Sequence, residues 1–380
     1  MKVLYITNYG SMYGANLSLF YLTTYLKQTY GIEPYILVPG GGVIQERLQP
    51  YGIECVCCDF RLCMVKDSVT PKWFRKTTRR IMRYADYFRI LRIIKKKGLS
   101  FDLIHTNTSI TDIGYFLAKQ MGIPHIWHVR EFAREHYGLE YVFSGRALRR
   151  MLSRSASVIA ISDAIYDKMR SAMDEKGLTK IYNGIPVCTR YEKSYHASGE
   201  VYFCTVGSIS HNKNQMDIIK ACEKIMAEGN DAFRLFIVGG NDTEYAGSLQ
   251  DYLDKRPALQ KKIVFTGYQE KVDELLKGMD VGVLASEAEA FGRVTVEYMA
   301  NYMPVIGADS GGTSELIQNV GILYSLHDID ALAKAMNAFI EDRSQIEALG
   351  KKSRARSESF TLEKNAEEIY QLYKEILNNL

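Results

Sequence analysis

The chain has 380 residues, 47% hydrophobic and 24% charged, with 48 Lys and Arg against 44 Asp and Glu. That is an ordinary soluble composition, too long for one ordinary core, so two domains are expected. No apolar run reaches the ~18 residues that span a bilayer, and an odd count of seven cysteines argues against a disulfide framework and for a reducing compartment.

The net charge of +4 hides an asymmetry: residues 1–190 carry a net +13 and residues 191–380 a net −9. Opposite signs point to two domains, the basic one meeting an anionic partner. Met1-Lys-Val-Leu-Tyr-Ile-Thr7 reads as a strand start and not as a signal peptide, so a cytoplasmic location is expected.

Strand-like and helical segments alternate from residue 3. Residues 3–7 are a compact β-rich run, and 17–25 follow with helical spacing (Leu17, Phe20, Tyr21, Tyr25). Residues 34–39 read as a strand, then come Gly40-Gly-Gly42 and a short helix near 44–48. Residues 102–105, 125–128 and 157–162 are further short apolar strands. The spacing predicts βαβ units on parallel sheets, whose doubly buried strands read as continuous apolar runs. A stretch at 185–199 reads as a linker, and the pattern restarts with strands at 201–207, 234–239, 262–266, 280–285 and 303–308. The terminal segment 365–380 carries Ile369, Leu372, Tyr373, Ile376 and Leu377 on one stripe. Two successive α/β domains would leave a ligand cleft beyond the carboxyl ends of the sheets. No G-x-G-x-x-G follows a strand and no G-x-x-x-x-G-K-[ST] is present, so dinucleotide dehydrogenases and P-loop NTPases are disfavoured.

The most informative stretch is Glu289-Ala-Phe-Gly-Arg-Val-Thr-Val-Glu297. A strand pattern runs into the first carboxylate and a helix pattern carries the second. Eight helical steps span about 12 Å, roughly the distance from sugar to ribose in a nucleotide-diphosphate sugar. One carboxylate would hold sugar hydroxyls and the other ribose hydroxyls, with a helix N-terminus between them facing the diphosphate. The plainer reading, a loop Glu and a solvated helix Glu, stands beside it on spacing alone.

The motifs around this stretch come in a recognisable order. They are Tyr182-Asn-Gly184, Val206-Gly-Ser-Ile-Ser-His-Asn-Lys-Asn-Gln215, Phe236-Ile-Val-Gly-Gly240, Phe265-Thr-Gly267, the paired glutamates, and Pro304-Val-Ile-Gly-Ala-Asp-Ser-Gly-Gly-Thr-Ser-Glu-Leu-Ile317. Together they resemble the retaining glycosyltransferases of family 4 over most of residues 182–380. The resemblance implies the α/β GT-B fold: two Rossmann-like domains facing across a cleft, with a C-terminal helix crossing back to the first. The expected division is 1–184 for an acceptor-side domain, 185–199 for the linker, 200–357 for a nucleotide-sugar domain, and 358–380 for the returning helix. In this likeness Lys213 neutralises the departing diphosphate, Glu289 orients the donor sugar, and Glu297 holds the ribose. Ala290, Phe291 and Gly292 line the donor, glycine letting the main chain approach. Gly311-Gly312-Thr313 would do the same at the next helix start, or be only a structural turn. Ser208 stands where the family has an Arg, and Ser lacks the bidentate fork; Arg293 would supply the missing charge or be a surface residue.

The first half matches less closely. Asn8-Tyr-Gly-Ser-Met-Tyr-Gly-Ala15 resembles the family's N-terminal Gly loop, with Gly10 and Gly14 bringing main-chain N–H groups to donor or acceptor. His128-Val-Arg-Glu131 resembles the element facing the donor sugar, so His128 is expected to bond a sugar hydroxyl, and His105-Thr-Asn107 would line the same cleft. Residues 72–97 hold 11 Lys and Arg and one acid, Asp86, interleaved with Trp73, Phe74, Ile81, Met82, Tyr84 and Phe88. Such a helix reads as a membrane-surface element or as an ordinary solvated helix with an apolar core face. The first reading makes Arg75, Arg79, Arg80 and Arg83 acceptor- or membrane-facing and the protein peripheral on the inner face of the membrane. No nucleic-acid recognition motif accompanies the charge. Cys55, Cys57, Cys58 and Cys63 cluster, but their spacing is not that of a zinc finger.

The expected activity is retaining transfer of a hexose-type sugar from a nucleotide-diphosphate sugar, UDP by default, to a glycan or lipid-linked acceptor in cell-envelope polysaccharide synthesis. No cofactor and no metal are expected, because no D-x-D-type loop is present and Lys213 with helix dipoles would replace a cation. Two rivals remain: a sugar-nucleotide 2-epimerase of the same architecture, and a non-catalytic donor- or lipid-binding partner subunit.

Overall fold

The computed structural model describes the chain except residues 67–71, 134–137, 174, 188–190, 192, 196–198, 241–242 and 380. The expected linker therefore lies partly outside the described residues. The chain divides into two compact units, Met1–Pro186 with Leu362–Leu380, and Val187–Thr361.

The first unit is built on β1 (Lys2–Ile6), β2 (Glu33–Val38), β3 (Glu54–Cys57), β5 (Leu103–Thr106), β6 (His125–Val129), β8 (Ser157–Ala160) and β9 (Leu178–Lys180). They form one seven-stranded sheet in the order β3-β2-β1-β5-β6-β8-β9, and every pairing is parallel. A small antiparallel ribbon joins β4 (Met64–Lys66) to β7 (Leu139–Tyr141). β5, β6 and β8 are buried at every position, which is why they read as unbroken apolar runs. The terminal helix Leu362–Asn378 packs Ala366, Ile369 and Tyr373 into the same core as Val3, Leu19 and Ile36.

The second unit carries β10 (Val201–Val206), β11 (Phe233–Val238), β12 (Ile263–Gly267), β13 (Val281–Leu284), β14 (Val305–Ala308) and β15 (Gly321–Tyr324). Their order is β12-β11-β10-β13-β14-β15, again wholly parallel. Both sheets reverse their winding once, between β1 and β5 and between β10 and β13. Crevices at the carboxyl ends of such strands bind ligands in open α/β sheets. The Gly10–Gly14 loop and Asn107 follow β1 and β5; Lys213 and Glu289 follow β10 and β13.

Among the described residues no helix is long and apolar enough to cross a membrane. The helix Lys72–Lys96 corrects one expectation. Arg83 is not on the outer face: it is 4% exposed, ion-paired with Asp112 and bonded to the Tyr87 hydroxyl. A buried guanidinium needs a carboxylate, and Asp112 supplies it. Arg80 is exposed, whereas Arg75 and Arg79 are half-buried. Arg75 donates to the Lys66 carbonyl and Arg79 to the Met64 carbonyl at 2.6 Å.

Candidate active site

Lys213 ends the 3-10 turn His211–Lys213, and Asn214 then adopts a left-handed conformation (φ 51°) before the helix Gln215–Ala227. Lys213 thus precedes the helix and does not lie in its first turn. Its side chain passes Gly207 (φ +150°), where an added Cβ would make only ordinary contact, 3.6 Å, with Lys213 Cε. The ammonium of Lys213 is ion-paired with the Glu289 carboxylate. A main-chain bond of 3.0 Å from Glu287 N–H to the Asn212 carbonyl locks the two loops together.

Residues 285–292 are not helical, and the helix after them is Arg293–Ala300. The eight-step helical rise expected between the glutamates therefore applies only from Arg293 to Glu297. Gly292 is the N-cap of this helix, with φ 89° and ψ 62°, and has no side chain with which to cap its first turn. The positive end of the helix thus falls between the two carboxylates in the sequence. Arg293 lies 3.3 Å from the Glu297 carboxylate one turn on. Burial pushes the Glu297 carboxyl above its ordinary range, Arg293 opposing and Asp273 adding to the shift. Tyr298 accepts a bond from Val206 N–H at 2.7 Å, fixing the helix to the end of β10.

Gly311 and Gly312 form the floor. Gly312 N–H donates to the Glu289 carbonyl at 2.7 Å. A Cβ on Gly311 would sit 2.3 Å from that oxygen, and one on Gly312 would sit 2.9 Å from Phe291 Cα. These glycines allow the loop after β14 to pack directly under Glu289 and Phe291. Ala290 and Phe291 are themselves buried. Ser208 is exposed, and its carbonyl accepts from the Gln215 side chain at 3.0 Å.

In the first unit, Gly14 begins the helix Gly14–Tyr30 with φ 38°, and its N-cap residue Tyr13 makes no side-chain cap bond. Asn107 donates to the Ala15 carbonyl at 3.0 Å and accepts from Arg130 at 2.7 Å. His128 is fully buried, and its Nδ1 lies 3.0 Å from His105 Nε2. Burial first and then Arg130 hold both imidazoles well below the usual histidine value, with His125 adding to the effect on His105 and His105 to that on His128. Glu131 spends its carboxylate on Thr108 and Ser109, at 2.6–2.8 Å, shaping the loop after β5.

The structure therefore gathers Lys213, Glu289, Ala290, Phe291, Gly292, Arg293 and Glu297 in the second unit, and Gly14 and His128 in the first. Sequence reasoning did not reach the partners of the two residues beside His128, Tyr373 on His105 Nδ1 at 2.6 Å and Asn183 on Arg130; the Asn-Gly turn at 183 was the one available signal. Among the described residues no three His, Cys, Asp or Glu side chains assemble as a metal site.

Residues 12–187 match the family model described as Glycosyltransferase Family 4, and residues 190–356 match Glycosyl transferases group 1. The chain belongs to the family 4 glycosyltransferases. This glycosyltransferase is 26% identical to an N-acetyl-alpha-D-glucosaminyl L-malate synthase of Bacillus anthracis, over 93% of this chain and 98% of that protein. It is 25% identical to a UDP-Gal:alpha-D-GlcNAc-diphosphoundecaprenol alpha-1,3-galactosyltransferase of Escherichia coli, over 76% and 79%. Its fold is similar to that of Anabaena Alr3699/HepE in complex with UDP, with a TM-score of 0.79, 20% identity, and 99% and 100% of the two chains covered. That likeness establishes the GT-B fold for this glycosyltransferase.

Proposed function

We propose that this glycosyltransferase moves a hexose-type sugar from a UDP-sugar, with retention of anomeric configuration, to a glycan or lipid-linked acceptor in cell-envelope polysaccharide synthesis. The observation that carries the reading is the Lys213–Glu289 pair beside the helix that starts at Gly292. It provides a cation and backbone donors for a diphosphate and a carboxylate for sugar hydroxyls. Relatives that act on UDP-galactose or are solved with UDP support the choice of base.

Each residue then has a role. Lys213 and the first turn of Arg293–Ala300 stabilise charge on the diphosphate as its bond to the anomeric carbon breaks. The acceptor oxygen bonds that carbon on the same face, and its proton passes to the departing phosphate oxygen. Glu289 orients the sugar, which distinguishes it from a hydrolase nucleophile. Glu297 holds the ribose hydroxyls, with Arg293 keeping its carboxylate in place, and His128 offers a bond to a sugar oxygen. No metal takes part in this scheme. NMR of the product anomer, with UDP-hexose turnover measured with and without acceptor, tests it. An acceptor-dependent α-linked product is expected; turnover without acceptor would instead identify an epimerase, and none under either condition a binding subunit.

For the acceptor side, the reading rests on the helix Lys72–Lys96. Trp73 is 71% and Ile81 67% exposed, with Phe74, Met82, Tyr84 and Phe88 also exposed. A cavity of about 490 Å³ beside them is lined by Arg61, Lys66, Arg75, Arg79, Val65 and Met82, together with Thr78. Burial first, then Arg61, Arg83 and Arg75, lower the Arg79 value, a crowding of cations that an anion would relieve. Apolar side chains beside crowded cations suit an anionic membrane surface bearing the acceptor. Co-sedimentation should favour vesicles containing phosphatidylglycerol over pure phosphatidylcholine; equal binding to both at low salt would remove the membrane from the account.

A further inference from the structure

His128 sits in an arrangement that fixes where its proton is. Its Nδ1 lies 3.0 Å from His105 Nε2 and 3.2 Å from the Arg130 guanidinium. Its Nε2 is buried and has no hydrogen-bond partner in the protein. On the far side, His105 Nδ1 lies 2.6 Å from the Tyr373 hydroxyl, which is 3.1 Å from the Tyr5 hydroxyl. Arg130 is held in turn by Asn107, at 2.7 Å, and by Asn183.

Donor and acceptor rules then leave one solution. Arg130 has only donors, so His128 Nδ1 must accept. A neutral imidazole that accepts at Nδ1 carries its hydrogen on Nε2. His105 Nε2 must also donate, or two lone pairs would meet at 3.0 Å. His105 Nδ1 therefore accepts and the Tyr373 hydroxyl is its donor; because that hydroxyl has one hydrogen, it is turned to the shorter contact with His105 and not to the Tyr5 oxygen 3.1 Å away. We infer that Tyr373, acting through His105, and Arg130 are positioning residues that hold His128 as the neutral Nε2–H tautomer, a fixed donor to an oxygen of the bound sugar.

The device spans β1 (Tyr5), β5 (His105), β6 with its following loop (His128, Arg130), and the terminal helix (Tyr373). Burial, Arg130, and the effect of His125 on His105 and of His105 on His128 all oppose protonation. A donor fixed in this way serves equally across neutral pH, which an ordinary surface histidine would not. A buried N–H without a partner is costly to keep, so it marks a place where a ligand atom completes the set. That the ligand is a sugar oxygen rests on the function proposed above; the tautomer does not.

The test is nitrogen-15 NMR of the full chain with labelled histidine rings, without donor or acceptor, so its outcome is independent of the proposed activity. His128 and His105 should each show a protonated Nε2 and a bare Nδ1, unchanged from pH 6.0 to 8.5. Tyr373→Phe should turn His105 into a mixture of tautomers, whereas Tyr5→Phe should leave it as it was, because Tyr373 still donates. A bare Nε2 on His128, or either ring becoming doubly protonated within that range, would overturn the inference. So would a Tyr373→Phe spectrum identical to wild type. If Tyr373→Phe does not fold, the wild-type spectrum with Tyr5→Phe still decides.

Discussion

Alanine at Gly311 is the sharpest perturbation this structure offers. The added Cβ would lie 2.3 Å from the Glu289 carbonyl oxygen, 3.0 Å from its nitrogen and 3.2 Å from its carbonyl carbon. Ordinary contact begins near 3.4 Å, so the Glu289 main chain must retreat by about 1 Å. The native dihedrals, φ 58° and ψ −137°, lie close to a region populated almost only by glycine, which adds about 1–3 kcal/mol for alanine. Unfolding should therefore move down by on the order of 5 °C, since roughly 2–4 °C accompany each kcal/mol in a unit of this size. The retreat carries the Glu289 carboxylate with it and disturbs its pairing with Lys213. A displacement of about 1 Å in a positioning group can cost on the order of 100-fold in rate. The assay pairs thermal unfolding with transfer kinetics at saturating acceptor. Gly247→Ala is the control: it lies inside the helix Glu244–Asp254 with nothing within 4 Å, and should gain about 0.5–1 kcal/mol. If Gly311→Ala kept both the melting temperature and the transfer rate, the argument that Gly311 supports Glu289 would fail.

Three further outcomes are expected. Lys213→Ala should slow transfer by on the order of 10²–10³-fold with little change in melting temperature, because the side chain is 30% exposed; an unaltered rate would remove Lys213 from the diphosphate. Glu297→Gln should act in two directions. The raised carboxyl value means that the folded state binds the proton more tightly than the unfolded state, so ionisation destabilises the fold at neutral pH and ceases to do so below about pH 4. The Gln variant should melt higher than wild type at pH 7–8, lose that advantage near pH 4, and bind UDP-sugar more weakly; calorimetry showing no stabilisation at pH 8 would contradict the burial argument. His105 and His128 are held well below the usual value and His125 at about 3, all chiefly by burial. Unfolded chains take up these protons below about pH 6.5 and the folded chain does not. Stability should therefore fall with acidification by about 1.4 kcal/mol per pH unit for each ring, and a melting temperature that is flat from pH 6.5 to 5 would count against it.

Particular residues show what the sequence makes visible. β6 and β8 are buried at every position, so their apolar runs announce parallel strands. β9 buries only Leu178 of three residues and β3 only Val56 of four, too little pattern to distinguish from loop. Lys213, Glu289 and Glu297 were legible because their chemistry lies in local order, each just after a strand or in the next helix. The Arg83–Asp112 pair was not: a run of arginines reads as one basic face, and only packing turns one of them inward onto a carboxylate. The partners of His128 were equally hidden, since Tyr373 meets His105 across 268 positions of sequence. The eight-step helical rise set between the paired glutamates was out of place, because residues 289–292, against which Gly311 and Gly312 pack, are not helical.

A structure determined with a bound UDP-sugar tests the central claim most directly. The account predicts diphosphate oxygens within hydrogen-bond reach of Lys213 Nζ and the N–H groups after Gly292, with sugar hydroxyls on Glu289 and ribose hydroxyls on Glu297. A nucleotide seated elsewhere, with the Lys213–Glu289 pair unchanged beside it, would contradict the account.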